Sequence, residues 1–158
     1  MGLVEIRNEI VSLINEIPDI GPVYDYDRYT SNWNKFLDLF TDDQRNIAGW
    51  VVSRKSTVSR MITRGEKEKA HVFLIRGYYG LKDSTASEKD FQLKVEAIDA
   101  KFDANFDLNG VCDTINPDWG PCANSAGLQI DTVEIREFGS VLCHYTECRL
   151  CPVERVEV

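Results

Sequence analysis

The fold is decided by the stretch from Ile47 to Tyr79, which reads IAGWVVSRKSTVSRMITRGEKEKAHVFLIRGYY. Its first part, Ile47 to Ile62, has the composition of a long strand whose outer half is polar. Residues 64–67, RGEK, are typical of a turn, and the chain returns as a second strand from Ala70 to Tyr79. We therefore predict a long antiparallel hairpin over residues 47–79.

The returning strand contains the run Val72 to Ile75, in which neighbouring residues are apolar without alternation. Because successive side chains on a strand point to opposite faces, such a run suits a central strand that is covered on both sides. The sequence therefore predicts that other elements pack against both faces of the sheet.

The sequence also predicts helices before and after this hairpin. Apolar residues recur at helical spacing over residues 1–17 and again over residues 87–104, and a short helix capped by Ser31 lies between them. Residues 105–127 form a long irregular loop, and residues 128–151 return as terminal strands before a charged tail. We predict one domain over residues 1–158 with an α+β fold, in which helices pack on a mixed, mainly antiparallel sheet.

Composition excludes several classes of protein. The chain has 158 residues, 18 basic and 26 acidic side chains, and a formal net charge of -8. A dedicated nucleic-acid binder needs clustered Lys and Arg, so the acidic total argues against one, although it suits a protein that DNA must pass without binding. The longest apolar runs are too short to span a bilayer, and the amino terminus has no secretory pattern. We expect assembly in the host cytoplasm.

The cysteines offer the main alternative to a purely structural role. Their odd count and the missing export signal favour free thiols in a reducing compartment. The spacing C-x4-C-x2-C at the end of the chain matches part of a ferredoxin pattern, so a cysteine-ligated metal or iron–sulfur module is an alternative. On one continuous strand, however, the first and second of these cysteines would point to opposite faces. The five candidates are Cys112, Cys122, Cys143, Cys148 and Cys151.

Catalytic patterns are weak. Cys143 and His144 are adjacent, so on a strand their side chains project to opposite faces and cannot form a nucleophile–base pair. His71 and His144 are expected to be structural histidines with hydrogen-bond partners. No glycine-rich phosphate loop is present in the sequence. We therefore predict no enzyme activity and no cofactor.

Basic residues gather on the predicted hairpin of an otherwise acidic protein. Such a hairpin is either a solvated extension or an arm that meets an acidic patch on a neighbour, or a DNA end. In identical subunits, a basic hairpin that meets the acidic remainder makes a head-to-tail contact, and such contacts can close into rings. We therefore expect the hairpin from Val51 to Ala70 and the loop from Asn105 to Gly127 to make subunit contacts. The candidate interface residues are Arg54, Lys55, Arg60 and Arg64.

Several short motifs, taken in order, resemble one family. They are IPDIG at 17–21, VYDY at 23–26 with RY at 28–29, GW at 49–50 with SR at 53–54, HVFLIRGYYGL at 71–81, STASE at 84–88 with FQ at 91–92, and FGSVLCHY at 138–145. In this order they resemble phage and prophage tail-completion proteins of the tail terminator type. The departures from that family are Cys148, Cys151 and the loop between Cys112 and Cys122.

The resemblance implies a structural virion protein with no catalytic residues to carry over. Its fold would be an α+β subunit, and its assembly a hexameric ring on the last ring of the tail tube. Such a ring ends tube growth, joins the tail to the head-side connector and leaves a channel for DNA. The expected partners are other copies of the chain, the tail tube protein and the neck protein; DNA would pass without sequence-specific binding, and no membrane would be involved. Another head–tail neck protein, an enzyme of unknown type and an independent DNA-binding protein are the remaining alternatives.

Overall fold

The computed structural model describes residues 2–28, 33–42, 46–138 and 141–158. The predicted cap Ser31, and the motif residues Tyr29, Gly139 and Ser140, lie outside these ranges. The helices are α1 (Leu3–Asn15), α2 (Trp33–Leu39) and α3 (Ser87–Asp103), with a short 3-10 turn at Asp83–Thr85. The strands are β1 (Val23–Tyr24), β2 (Ala48–Thr63), β3 (Glu66–Gly80), β4 (Gln129–Phe138), β5 (Val141–Leu150) and β6 (Val153–Glu157).

The strands form one six-stranded sheet in the order β1-β2-β3-β5-β4, and β6 pairs with β3 beyond the end of β5. The β1–β2 pair is parallel, whereas the other pairs are antiparallel. This confirms the predicted α+β fold with a mixed, mainly antiparallel sheet. No helix in the described ranges is both long enough and apolar enough to cross a membrane.

The sheet is covered on both faces, as the apolar run in β3 predicts. On one face α1 and α3 contribute the apolar stripes that pack on Trp50, Phe73 and Ile75. On the other face α2 places Phe36 and Phe40 against a smaller cluster that includes Cys143. The predicted apolar stripe of α3 is confirmed, because the four residues that form it are all buried: Phe91, Val95, Ile98 and Phe102.

The inner end of the hairpin is held firmly in this core. The indole N–H of Trp50 donates a hydrogen bond to the Ile20 carbonyl oxygen at 2.9 Å. Its ring lies so close to Gly77 on β3 that an added Cβ there would meet the ring at 2.3 Å. Because Gly77 has no side chain, β2 and β3 can pair while the large Trp50 ring lies over Gly77 on the core face of the sheet. The outer part of the hairpin therefore extends from a rigid base.

Two details of the predicted strands are wrong. The turn consists of Arg64 and Gly65 alone, because Glu66 and Lys67 already pair with β2. The charged tail is also not a tail: residues 153–157 form β6, which pairs with residues 66–70 of β3. Through this pairing, the outer part of the hairpin becomes a three-stranded extension of the sheet rather than a free two-stranded arm.

Candidate subunit interface

The outer half of β2 runs from Arg54 to Thr63, and every position except half-buried Thr57 is exposed. Strand β1 pairs with β2 only at Trp50 and Val51. Within the described residues, no strand therefore pairs with the side of this half that faces away from β3. Such an edge presents N–H and C=O groups that can pair with another chain. We call residues 54–63 the hairpin edge.

Three of the four predicted interface residues carry charges that remain available on the hairpin. Arg54, Lys55 and Arg64 are exposed and form no ion pair in the described part of the chain. Arg54 only donates a hydrogen bond to the Thr57 hydroxyl oxygen at 3.3 Å. The structure thus keeps these three cations free for a partner.

The fourth predicted residue, Arg60, is engaged within its own chain. Its Nε donates to a Glu68 carboxylate oxygen at 2.8 Å, and Asp118 of the long loop lies 3.8 Å from the same guanidinium group. The guanidinium also stacks over the Trp119 ring, 4.5 Å from its centroid. Arg60 therefore holds the long loop against the hairpin, which makes it a weaker candidate for an intersubunit contact than the other three residues.

Apolar side chains on the hairpin edge are also exposed. Met61 is 58% exposed, and Val58 and Ile62 are exposed beside it. Exposed apolar groups that occur singly are ordinary, but a group of three on an unpaired strand edge marks a surface that would gain from burial. The edge thus combines unpaired backbone groups, free cations and apolar area.

A buried polar network fixes the base of this edge. Thr57 and His71 face each other across β2 and β3, and the Thr57 hydroxyl lies 2.8 Å from His71 Nδ1. The other ring nitrogen, Nε2, lies 3.0 Å from a carboxylate oxygen of Glu154 on β6. All three groups are satisfied when the hydroxyl donates to Nδ1 and Nε2–H donates to the carboxylate. His71 is therefore a structural histidine, as expected, although sequence reasoning missed Glu154 because it treated that segment as a tail.

The opposite side of the sheet ends in β4, which has no strand beyond it within the described residues. Ile135 on β4 is 55% exposed, and Ile130 is also exposed. Asp131 accepts two hydrogen bonds from Arg149, at 2.6 and 3.0 Å, and Glu134 pairs with Arg136. This second edge is therefore also partly apolar, but it carries carboxylates.

Helix α3 adds a row of carboxylates at Glu96, Asp99 and Asp103, which follow each other at helical spacing. Partial burial raises the pKa of Asp99, and Asp103 and Glu96 raise it further by repulsion. This spacing was visible in the sequence, but the position of the row was not: Asp103 lies against Gly127, just before β4, and Asp99 and Asp131 of β4 both act on the Cys148 thiol. We call the surface formed by this row and the carboxylates of β4 the acidic edge; it consists of Glu96, Asp99, Asp103, Asp131, Glu134 and Glu137.

The long loop differs from its prediction in one respect. Residues 105–127 are irregular, as predicted, but they do not project from the core. Leu108 and Ile115 are buried in the main core, and Thr114 forms an isolated bridge with Val153. The apolar residues of the loop thus fill the space beside β6, and the expectation that the loop makes subunit contacts stays a prediction.

The cysteines are distributed over three places. Cys112 and Cys148 lie in the main core, Cys143 lies in the cluster on the opposite face, and Cys122 forms a disulfide with Cys151. The expectation that all thiols are free is therefore wrong for the last two. Cys143 and Cys148 do point to opposite faces, as strand geometry predicts. No group of metal-binding side chains comes together among the described residues.

Burial keeps the three free thiols protonated. It raises the pKa of Cys112 to about 12, and nearby Asp107 and Asp113 add to the effect. It also raises the pKa of Cys143 and of Cys148 to about 11. The thiolate is the nucleophile and the metal ligand, so these side chains act as buried apolar groups at neutral pH.

A hydrogen-bonded serine–histidine pair lies at the start of α3. Ser87 Oγ is 2.8 Å from His144 Nε2 and also accepts a hydrogen bond from the Lys82 backbone N–H at 2.8 Å. Both side chains line an open pocket of about 390 Å³. Burial lowers the pKa of His144, so the ring is neutral near pH 7, and its Nε2 accepts a hydrogen bond from the Ser87 hydroxyl. The pair joins α3 to β5, which is a structural role for His144.

No protein-family model and no curated protein match the chain. The family resemblance seen in the sequence therefore stays a prediction.

Proposed function

We propose that the chain is a structural subunit of a long-tailed phage, which assembles into a ring that caps the tail tube. The ring has six copies, the number that the family resemblance implies. It ends tube growth and presents a surface to the head-side neck protein. Its place is the tail end near the neck of the virion, and it assembles in the host cytoplasm.

The observation that carries this proposal is the hairpin edge. Ten consecutive residues of β2 extend past the buried part of the strand, with exposed cations and apolar side chains along an edge that the described residues leave unpaired. A monomer gains nothing from keeping such an edge, because it invites pairing with other chains. A subunit that must bind its own copies gains a contact surface from it.

The charge of the chain supports a channel for DNA. A ring of subunits that each carry a formal net charge of -8 repels the phosphate backbone overall. DNA can then pass through the ring without binding to it. The cations on the hairpin suit contacts between subunits in this arrangement, since each neighbour supplies an excess of carboxylates.

A cysteine-ligated metal or iron–sulfur module is not proposed. Cys143 and Cys148 lie on opposite faces of the sheet, and Cys122 and Cys151 are bonded to each other. A cluster would need these sulfurs to converge on one centre.

Electron microscopy of the purified chain, with and without tail tubes of the virus that encodes it, tests the proposal. We expect closed rings with a central hole, bound at one end of each tube, and tubes of limited length when the chain is present during their assembly. Rings found instead at the head-side connector would assign the chain to another layer of the neck. A chain that stays monomeric at all concentrations and leaves the tubes bare would refute the proposal.

A further inference from the structure

The two unpaired edges lie on opposite sides of one sheet and have equal lengths. The hairpin edge and β4 each run for ten residues, which is about 33 Å of extended chain. Strands β3 and β5 separate them in the strand order. A molecule with one such edge on each side can contact two neighbours through a single repeated head-to-tail contact.

Among the described residues, the charges of the two edges that form no ion pair have opposite signs. Arg54, Lys55 and Arg64 form no ion pair in the described part of the chain, and all three lie on or beside the hairpin edge. At the acidic edge, Arg149 and Arg136 neutralise Asp131 and Glu134.

The other four carboxylates of the acidic edge form no ion pair with any described residue; they are Glu96, Asp99, Asp103 and Glu137. Three exposed cations thus lie on one side of the sheet, and four carboxylates, of which Asp99 is partly buried, lie on the other. Such complementary potentials favour one relative orientation of two copies over others.

We infer that the hairpin edge of one copy docks on the acidic edge of the next, strand edge against strand edge. This inference rests on the proposed ring and identifies the acidic edge as the surface that the hairpin edge binds on the neighbouring subunit. The backbone groups of β2 and β4 then pair between copies, and the sheet continues from one subunit to the next. The contact then buries exposed apolar side chains of both edges, namely Val58, Met61 and Ile62 of one copy and Ile130 and Ile135 of its neighbour.

Irregularities in both strands make this contact selective. Register shifts interrupt β2 between Arg54 and Ser56 and between Met61 and Thr63, and β4 has one between Ile130 and Thr132. Bulges of this kind twist an edge away from flat pairing, and edge cations discourage pairing with an identical edge. A hairpin edge therefore repels a second hairpin edge but attracts an acidic one.

Two charge-reversed variants test the contact. The first carries Arg54→Glu and Lys55→Glu, which makes the hairpin edge acidic. The second carries Glu96→Lys and Glu137→Lys, which makes the acidic edge basic. The matched control carries Asp38→Lys and Asp113→Lys; both residues are exposed, lie on neither edge and give the same change in net charge as the second variant. Native mass spectrometry and sedimentation measure the assembly of each.

We expect each variant alone to assemble roughly tenfold more weakly than the wild type, or worse, because like charges then meet at every contact. The control should assemble as the wild type does. An equal mixture of the two variants should recover assembly, because each hairpin edge then meets an acidic edge of opposite charge on the other variant. The mixed particles should contain equal numbers of the two chains, which their masses reveal. This recovery also shows that both variants are folded.

The outcomes separate this inference from the proposed function. If the wild type forms rings and both variants form them equally well, the ring stands and this contact is wrong. If only one variant is impaired, or if the mixture fails to recover, the pairing of these two edges is wrong as well. If the wild type assembles neither alone nor on tail tubes, the ring and the contact are both refuted.

Discussion

Glu154 is a buried glutamate whose carboxylate needs a hydrogen-bond partner inside the protein. Glu154 is 3% exposed, and its carboxylate lies 3.0 Å from Nε2 of His71, which is 2% exposed and lies 83 positions earlier in the chain. A buried carboxylate without a partner is strongly destabilising, whereas the same group in a complete hydrogen-bond network is tolerated. The Thr57–His71–Glu154 network therefore joins three strands at the base of the hairpin edge and fixes the direction in which that edge leaves the core.

Removing the histidine from this network should be costly. We expect His71→Leu to lower the free energy of unfolding by roughly 3–5 kcal/mol, because it leaves the Glu154 carboxylate buried without its partner. Thr57→Val removes only a neutral hydrogen bond and should cost about 1 kcal/mol. The double variant His71→Leu, Glu154→Leu should recover part of the loss. Urea unfolding measures all three, and a His71→Leu variant within about 0.5 kcal/mol of the wild type would contradict this account.

The second histidine should make stability depend on pH. Burial lowers the pKa of His144 below its ordinary value of 6.5, although the charge of Glu88 acts the other way. Below that pH the unfolded chain therefore binds a proton more readily than the folded chain does. Stability should fall as pH drops below about 6.5 and level off below the folded pKa; above 6.5 the ring is neutral in both states and contributes nothing.

A comparison with His144→Gln isolates this effect, because the carboxylates are common to both chains and their contributions cancel. The difference in free energy of unfolding between wild type and variant should shrink as pH falls from 7.5 to 5. Direct titration of the ring by nuclear magnetic resonance provides the second check. A folded pKa at or above 6.5 would show that burial does not control this histidine.

At the scale of elements, local pattern decided which parts of the fold could be predicted. The hairpin and α3 carry their signals within short windows, namely an apolar run with a turn and a stripe at helical spacing. Strand β6 carries no such signal, since its sequence VERVE alternates poorly and its buried glutamate is explained only by His71. The free cations of the hairpin were predictable, but the engagement of Arg60 with Trp119 depends on the path of the loop.

The disulfide belongs to this scale because it closes the long loop onto the end of β5. Cys122 and Cys151 are 29 positions apart, and sequence alone could not select them from five cysteines. We expect the double variant Cys122→Ala, Cys151→Ala to lose about 2–4 kcal/mol of unfolding free energy, because the unfolded chain regains the freedom of that loop. The buried Leu108 and Ile115 should keep the loop in place at ambient temperature.

Thiol counting and proteolysis check the disulfide prediction. The unfolded, unreduced chain should expose three thiols, and the reduced chain five, since three cysteines are free in the structure. Cleavage within residues 105–127 should become faster when the wild type is reduced. Five reactive thiols before reduction, or equal stability of the reduced and oxidised chains, would show that the bond contributes nothing.

At the scale of the whole molecule, the fold couples a rigid core to two outward edges. The core is closed on both faces by helices, so the exposed apolar residues of the sheet concentrate on the hairpin and on β4. The five cysteines and both histidines are buried, and the Ser87–His144 pair lines an open pocket. The cations of the hairpin edge and the carboxylates of the acidic edge that form no ion pair with a described residue lie on opposite sides of the sheet.

A molecule of this kind should become more stable as its concentration rises. If the edges join copies into a ring, assembly stabilises only the folded state, and raising the concentration from far below the dissociation constant to about a hundredfold above it adds about 2.7 kcal/mol. For a chain of 158 residues this corresponds to an increase of about 5–10 °C in the melting temperature. High salt should reduce the increase, because it screens the contact between the basic and acidic edges. The Arg54→Glu, Lys55→Glu variant should show little dependence on concentration. Calorimetry at several concentrations and two ionic strengths measures this, and a wild-type melting temperature that is constant over a hundredfold range would mean that the edges do not join the copies.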